Sequence, residues 1–281
     1  MTNILTAIYN ILNQEEHVMA NAMNRQRNRA NNMGEALEGY MKDAFANTLE
    51  MPAGEEKNTI YNQVFSWLGN QNNPPDFIIR SGDAVEVKKI ESKKSDLALN
   101  SSYPKSHLCA DSKMITQNCK ACEKWDIKDI IYVVGYIKND SLRSLWMVYG
   151  DIYAAQAKTY ERIKTTISKG IQQIPEVEFA ETTELGRVNR VDPLGITNLR
   201  IRGMWSIQNP KKVFKYLHPM DSNIFELVCI IPSKKYHAFA LENKTLIENI
   251  HREGFTITDK KVKDPNNPAN LIDVKLIKYL I

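Results

Sequence analysis

The stretch NPPDFIIRSGDAVEVKK, residues 73–89, leaves little choice of local structure. The odd positions Phe77, Ile79, Val85 and Val87 are apolar, whereas the even ones include Asp76, Arg80, Glu86 and Lys88. Alternation of period two on both sides of a Ser-Gly-Asp break predicts a β-hairpin with one buried and one polar face. With Ser81, Gly82 and Asp83 as the loop, and Gly82 left-handed, Arg80 pairs with Ala84, Ile78 with Glu86 and Asp76 with Lys88. Asp76 and Glu86 become diagonal neighbours, with Lys88 beside them. A one-residue change of loop length would undo the segregation of faces, so the pattern supports this register.

Two carboxylates so placed can hold a divalent ion with oxygen bonds of about 2.0 to 2.1 Å, leaving its other positions to water and phosphate oxygens. A lysine beside them can position an attacking water or neutralise a pentavalent phosphorane. The set suits hydrolysis of a phosphodiester, because the ion lowers the pKa of a bound water and offsets charge on the phosphate. The same residues also read as surface ion pairs on an exposed hairpin. The prolines before Asp76 and the apolar reverse face favour the first reading, since they fix the acid at a strand start on a buried scaffold.

Around the hairpin, MGEALEGYMKDAFANTL sets Met33, Leu37, Tyr40, Met41, Ala44 and Phe45 on one helical stripe. KNTIYNQVFSWLG reads as a second helix ended by Gly69, after which NQNNPP breaks regular structure. DIIYVVGYI, SLWMVYGDIY, LRIRGMWSI and FELVCIIP read as strands and AQAKTYERIKTTISKGIQQI as a helix. GRVNRVDPLGITN reads as a long surface loop, and the tail closes with a short helix or strand. This order of elements argues for an α/β or α+β fold with a mixed sheet and helices packed on it.

At 281 residues the chain fits one main domain with elaborations. A net charge of +4 permits a nucleic-acid partner without demanding one. Distribution says more: Arg187, Arg190, Arg200, Arg202, Lys211, Lys212 and Lys215 stand against the single acid Asp192, and the preceding PEVEFAETTE is acidic. The segment is either a face for an anion or a solvated charge run. The N-terminus lacks a signal-peptide pattern and no stretch has the length of a membrane span, so a cytoplasmic protein without a membrane partner is expected. Four cysteines do not make a disulfide framework. His107, Cys109, Cys119 and Cys122 can be written as a tetrahedral zinc site, or as free thiols and an ordinary histidine.

Pro75-Asp76 followed by Glu86-Val87-Lys88 resembles the PD-(D/E)xK nuclease motif. More closely, GNQNNPPDFIIRSGDAVEVKKIES with the following LALNSSYPKSHL resembles the NgoPII-type family of type II restriction endonucleases. The resemblance implies an α/β restriction-endonuclease-like core, a mixed sheet flanked by helices, in one nuclease domain over residues 1–281. Residues 30–155 would be the catalytic core, and 185–281 would add DNA-recognition and dimerisation elements. It further implies a Mg2+-dependent, homodimeric cutter of double-stranded DNA at GGCC or a related GC-rich palindrome, with a cognate DNA methyltransferase as functional partner and no direct contact to it. Asp76, Glu86 and Lys88 would form its active site, Asp76 and Glu86 the metal ligands, and Glu38 in GEALEGY either matches a further helix glutamate of the superfamily or is a solvated helix carboxylate. Asn100, Ser101, Ser102, Tyr103 and Lys105 offer donors where a DNA backbone would pass, or form a polar loop with no ligand; Arg25, Arg27 and Arg29 read as a further backbone clamp. Arg200 and Arg202, two apart on one strand face, suit guanine or phosphate, or make half of a surface charge network, with Arg187 and Arg190 nearby. A structure-specific repair or recombination nuclease and a non-catalytic DNA-binding protein remain the alternatives.

Overall fold

The alternating stretch folds as the expected hairpin, near one edge of a nine-stranded mixed sheet. A computed structural model of the chain describes residues 2–14, 29–70, 73–218 and 224–281, with the side chains of the second helix described from Gly34 onward. The N-terminal part holds α1 (Ile4–Leu12), α2 (Arg29–Ala46), α3 (Glu55–Val64), β1 (Phe65–Asn70), β2 (Asn73–Ile79) and β3 (Ala84–Ile90). There follow β4 (Leu97–Asn100), β5 (His107–Cys109), α4 (Gln117–Ala121), β6 (Ile127–Lys138), β7 (Ser141–Tyr149) and, after a single 3-10 turn, α5 (Ala157–Ile171). Short strands β8 (Glu178–Phe179), β9 (Gly186–Asn189), β10 (Leu199–Ile201) and β11 (Trp205–Ile207) lead to α6 (Pro210–Val213). The chain closes with β12 (Glu226–Pro232), α7 (Ser233–Ala238), α8 (Leu241–Glu248), β13 (Phe255–Lys263) and β14 (Leu271–Leu280).

The sheet runs β1-β2-β3-β6-β7-β12-β14-β13, with β5 added to β6. Neighbours are antiparallel except β3 with β6 and β7 with β12. All seven residues of β12 are buried, as a strand covered on both faces requires. Helix α2 packs on β3 with Leu37, Met41, Ala44 and Phe45 buried, α1 and α8 pack on one another, and α7 lies on β12 and β14. The α/β class with a mixed sheet flanked by helices is thus borne out. A three-stranded sheet of β10, β9 and β8 and a β4–β11 pair stand apart from the main sheet.

Four local expectations change. The second helix ends at Val64, and Phe65 to Asn70 form β1. Phe65 is buried, the Trp67 indole donates to Pro75 O at 3.0 Å, and a Cβ on Gly69 would sit 2.2 Å from that carbonyl, so the pairing needs glycine there. The prolines do not interrupt structure but begin β2. The expected loop from Gly186 opens with β9, which pairs with β10. LRIRGMWSI is two short strands, β10 and β11, in different sheets. Among the described residues, no helix is long and apolar enough to cross a membrane.

Candidate active site

The loop between β2 and β3 has the expected three residues but begins one residue early. Ile79 N donates to Asp83 O at 2.9 Å, which leaves Arg80, Ser81 and Gly82 as the loop, with Ser81 rather than Gly82 at positive φ. Phe77 pairs with Val85 and Ile78 with Ala84, a shift of two from the expected register. Because side chains alternate with period two, Phe77, Ile79, Val85 and Val87 still share the buried face. Carried one residue further, this register sets Asp76 opposite Glu86, not diagonal to it. Arg80 donates to the carbonyls of Asn62, Gln63 and Phe65 and so closes the end of α3. Asp83 is not a turn residue either. It is buried, takes a 2.7 Å bond from the Tyr149 hydroxyl and pairs with Lys235.

On the polar face, the Val87 amide donates to Asp76 Oδ2 at 2.6 Å, and Lys88 Nζ lies 2.6 Å from Glu86 Oε1. Burial, and next the charge of Glu86, push the Asp76 carboxyl up to about 7 against the pull of Lys88. Burial works to lower the Lys88 pKa, but Glu86 and then Asp76 hold it above the ordinary lysine value. Glu38 on α2 adds its field to both groups while pairing with Lys42 at 2.6 Å.

These residues fit a divalent cation. Asp76 is half-buried beside a second carboxylate, where loss of solvent and the neighbouring charge disfavour its ionised form and a cation would relieve both, and the donor set is oxygen, as hard ions prefer. Among the described residues no group of three or more acidic, histidine or cysteine side chains is gathered for a metal. An ion here would therefore rest on Asp76 and Glu86 and draw its remaining oxygens from water and substrate.

Asp76, Glu86 and Lys88 open into a cleft of about 350 Å³ that is also lined by Asn100, Ser101, Ser102, Tyr103 and Lys105. The structure brings these five expected backbone contacts to the three charged residues of the hairpin. Lys105 is half-buried: its amide donates to the Tyr132 hydroxyl and its Nζ to Ser102 Oγ, at 2.7 and 2.6 Å. Burial lowers the Lys105 pKa, with Glu86 opposing and Lys88 adding to the shift. Tyr132, absent from the sequence reading, is the register partner of Glu86 on β6 and lines the cleft. Its place inside an apolar strand run gave no signal. A second cleft of about 640 Å³ shares Tyr103 and Lys105 with the first.

The four arginines lie elsewhere. Arg187 and Arg200 are register partners on β9 and β10, and all four are absent from the lining of the 350 Å³ cleft. Arg200 and Arg202 do share a face, since both bond the Glu184 carboxylate, while remaining more than half exposed at 57% and 56%. Arg190 lies 3.8 Å from Glu178. The acidic and basic runs of the sequence thus meet across one small sheet. Arg25 and Arg27 lie outside the described residues, as does the side chain of Arg29. Cys109, Cys119, Cys122 and Cys229 are free thiols and His107 faces Asp129 at 3.5 Å, so among the described residues His107, Cys109, Cys119 and Cys122 do not gather as a zinc site. Trp205 packs edge-on against Tyr103 and Tyr160.

The family model "NgoPII restriction endonuclease" matches residues 2–263. The protein named type II restriction enzyme NgoPII, from Neisseria gonorrhoeae, is 48% identical over 279 residues, covering 99% of this chain and 99% of that protein. No solved structure matches the chain.

Proposed function

The chain belongs to the NgoPII restriction endonuclease family, and from that premise we propose that it cuts both strands of GGCC, or a related GC-rich palindrome, at the cleft of Asp76, Glu86 and Lys88. It is a type II site-specific deoxyribonuclease, a DNA-binding enzyme of a class that needs a divalent metal. Mg2+ is the ion we assign, with Asp76 and Glu86 as its ligands; when bound it supplies an acidified water and offsets charge on the phosphate. The proteins' own groups do the rest. Asp76 is oriented by the Val87 amide, and Glu86 holds the Lys88 ammonium at 2.6 Å, where it can direct the attacking water to phosphorus. The bond from phosphorus to the 3′ oxygen breaks, leaving 5′-phosphate and 3′-hydroxyl ends. Glu38 tunes the field of both charged neighbours from α2.

Asn100, Ser101, Ser102 and Tyr103 hold the DNA backbone along the cleft, and Lys105 lines it beside them. Arg200 and Arg202 read guanines from the β9–β10 hairpin, exchanging Glu184 for the base edge, and Arg187 and Arg190 take phosphates. The working form is a homodimer matched to a palindromic site, in a cytoplasm where a cognate methyltransferase protects host DNA. Residues 30–155 carry the chemistry, and recognition and dimerisation fall to elements within 185–281.

The observation that supports the site assignment best is the convergence of two carboxylates and a paired lysine on a cleft walled by the 100–105 loop. Its test is plasmid cleavage in Mg2+ by the full chain and by Glu86→Ala and Lys88→Ala. The parent should give discrete, reproducible fragments, and each variant should lose nearly all cleavage yet still bind the cleaved sequence in Ca2+. Near-normal turnover in either variant would remove this active site.

A further inference from the structure

The two lysines of the cleft are not equivalent. Lys88 is engaged with Glu86 at 2.6 Å, so part of its charge is already answered by a carboxylate. Lys105 has a hydroxyl, Ser102 Oγ, as its partner, and among the described residues no carboxylate lies within ion-pair distance of its ammonium. A half-buried cation without a counter-ion costs solvation energy that the fold must offset elsewhere. Such an arrangement is what an anionic ligand would complete.

The loop that carries Lys105 is also held from below. Its amide donates to the hydroxyl of Tyr132, a fully buried residue whose register partner is Glu86. Pro104 is buried, and the carbonyls of Lys105 and Ser106 lie against Gly150, where a Cβ would come within 2.5 and 2.6 Å of them. The backbone of Lys105 is therefore held by β6, the strand paired with the one that carries Glu86, and its ammonium is held by Ser102 Oγ. Its position relative to the site does not depend on an exposed, freely moving loop.

Resting on the active-site reading above, we propose that Lys105 is a catalytic residue, whose ammonium bonds a non-bridging oxygen of the scissile phosphate and neutralises the charge that grows there in the transition state. A group fixed in advance at the place where charge develops acts more strongly on the transition state than on the bound substrate. This separates it from Asn100 and Ser101, whose contacts to backbone would be equal in both states. Removing Lys105 should therefore slow the chemical step and leave DNA affinity little changed.

The experiment uses the full chain, a duplex that the parent cuts, and single-turnover conditions with saturating enzyme and Mg2+. Lys105→Met keeps the apolar stem and should lower the rate constant by about 10² to 10³-fold, the usual loss for one preorganised donor to a developing oxyanion. Binding of the same duplex in Ca2+ should stay close to that of the parent. In Lys105→Ala, added ethylammonium should restore several-fold of the lost rate, which a merely structural lysine would not allow. A normal rate at saturation with weakened binding would overturn the proposal, making Lys105 a ground-state contact. So would failure of both variants to fold, which would make it structural. Glu86→Gln separates the two readings: if it still cleaves, the active site itself is misassigned, whereas an inactive Glu86→Gln beside a fully active Lys105→Met removes only the role of Lys105.

Discussion

Asp76 illustrates how a residue proposed for a site can work against the fold that holds it. Its carboxyl stands at about 7 in the folded chain against an ordinary 3.8, because burial and the charge of Glu86 disfavour the ionised form. A carboxyl raised in the folded state contributes stability in full below its unfolded pKa, and that contribution is lost as pH rises through the folded value. The window here runs from about 4 to about 7. At pH 8 without divalent ions, Asp76→Asn should therefore melt at a higher temperature than the parent, and the difference should shrink toward zero as pH falls to 4. Added Mg2+ should stabilise the parent and not the variant, since only the folded parent offers the pair of carboxylates. Thermal melts at pH 8 and pH 4, with chelator and with Mg2+, measure all of this. An asparagine variant no more stable than the parent at pH 8 would mean that Asp76 carries no such strain.

The element that keeps the cleft in shape is the β7 end. Gly150 follows β7 directly, and a methyl there would meet Lys105 O at 2.5 Å, Ser106 O at 2.6 Å and Ile130 Cγ2 at 2.6 Å. Two of the three are backbone atoms, so the 104–106 loop must move. Gly150→Ala should cost about 1 to 3 kcal/mol in urea unfolding, as overpacking does, and should slow cleavage while leaving the carboxylate pair intact. Parental stability together with a parental rate would show that the loop tolerates displacement. This coupling between loop and strand was invisible in the sequence, whereas the β2–β3 hairpin was plain there. Its face pattern survived a register error of two because only odd shifts exchange faces. The error itself came from Asp83, which looks like a turn residue until Tyr149 and Lys235, 66 and 152 positions further on, bury it. Likewise FSWLG follows a helical run without a break until Gly69, and forms β1 where β2 offers it an edge. Asp76, Glu86, Lys88 and the 100–105 wall were legible because they lie within about thirty residues of one another along local elements. Tyr132 was not, since its contact with that wall is made across the sheet.

The whole molecule is closed by its last third, which supplies β12, β14 and β13 to the same sheet that carries the cleft. The join is the parallel pair β7–β12, and Glu226 sits at its start with no exposed surface. Its Oε1 receives Ser144 Oγ at 2.6 Å and Lys211 Nζ at 2.5 Å, and its Oε2 lies 3.3 Å from His218 Nε2. One carboxylate thus ties β12 to β7, to α6 through Lys211 and to His218 beyond it. Burial alone would raise its pKa, but the bonds from His218, Lys211 and Ser144 prevail and hold it at about 2 against an ordinary 4.5. A carboxylate depressed in the folded state contributes stability above its unfolded pKa and loses it as pH falls through the folded value. Acid unfolding of the parent should therefore steepen between about pH 4.5 and pH 2. In Glu226→Gln the amide keeps the shape but no longer answers the Lys211 ammonium with charge, and removing one partner of a buried pair costs about 3 to 5 kcal/mol. Urea titrations at pH 7 should show that loss, and the gap between variant and parent should narrow progressively as the titrations are repeated from pH 4.5 downward. A gap that stays constant across that range would place the acid sensitivity of the closed sheet in other carboxylates.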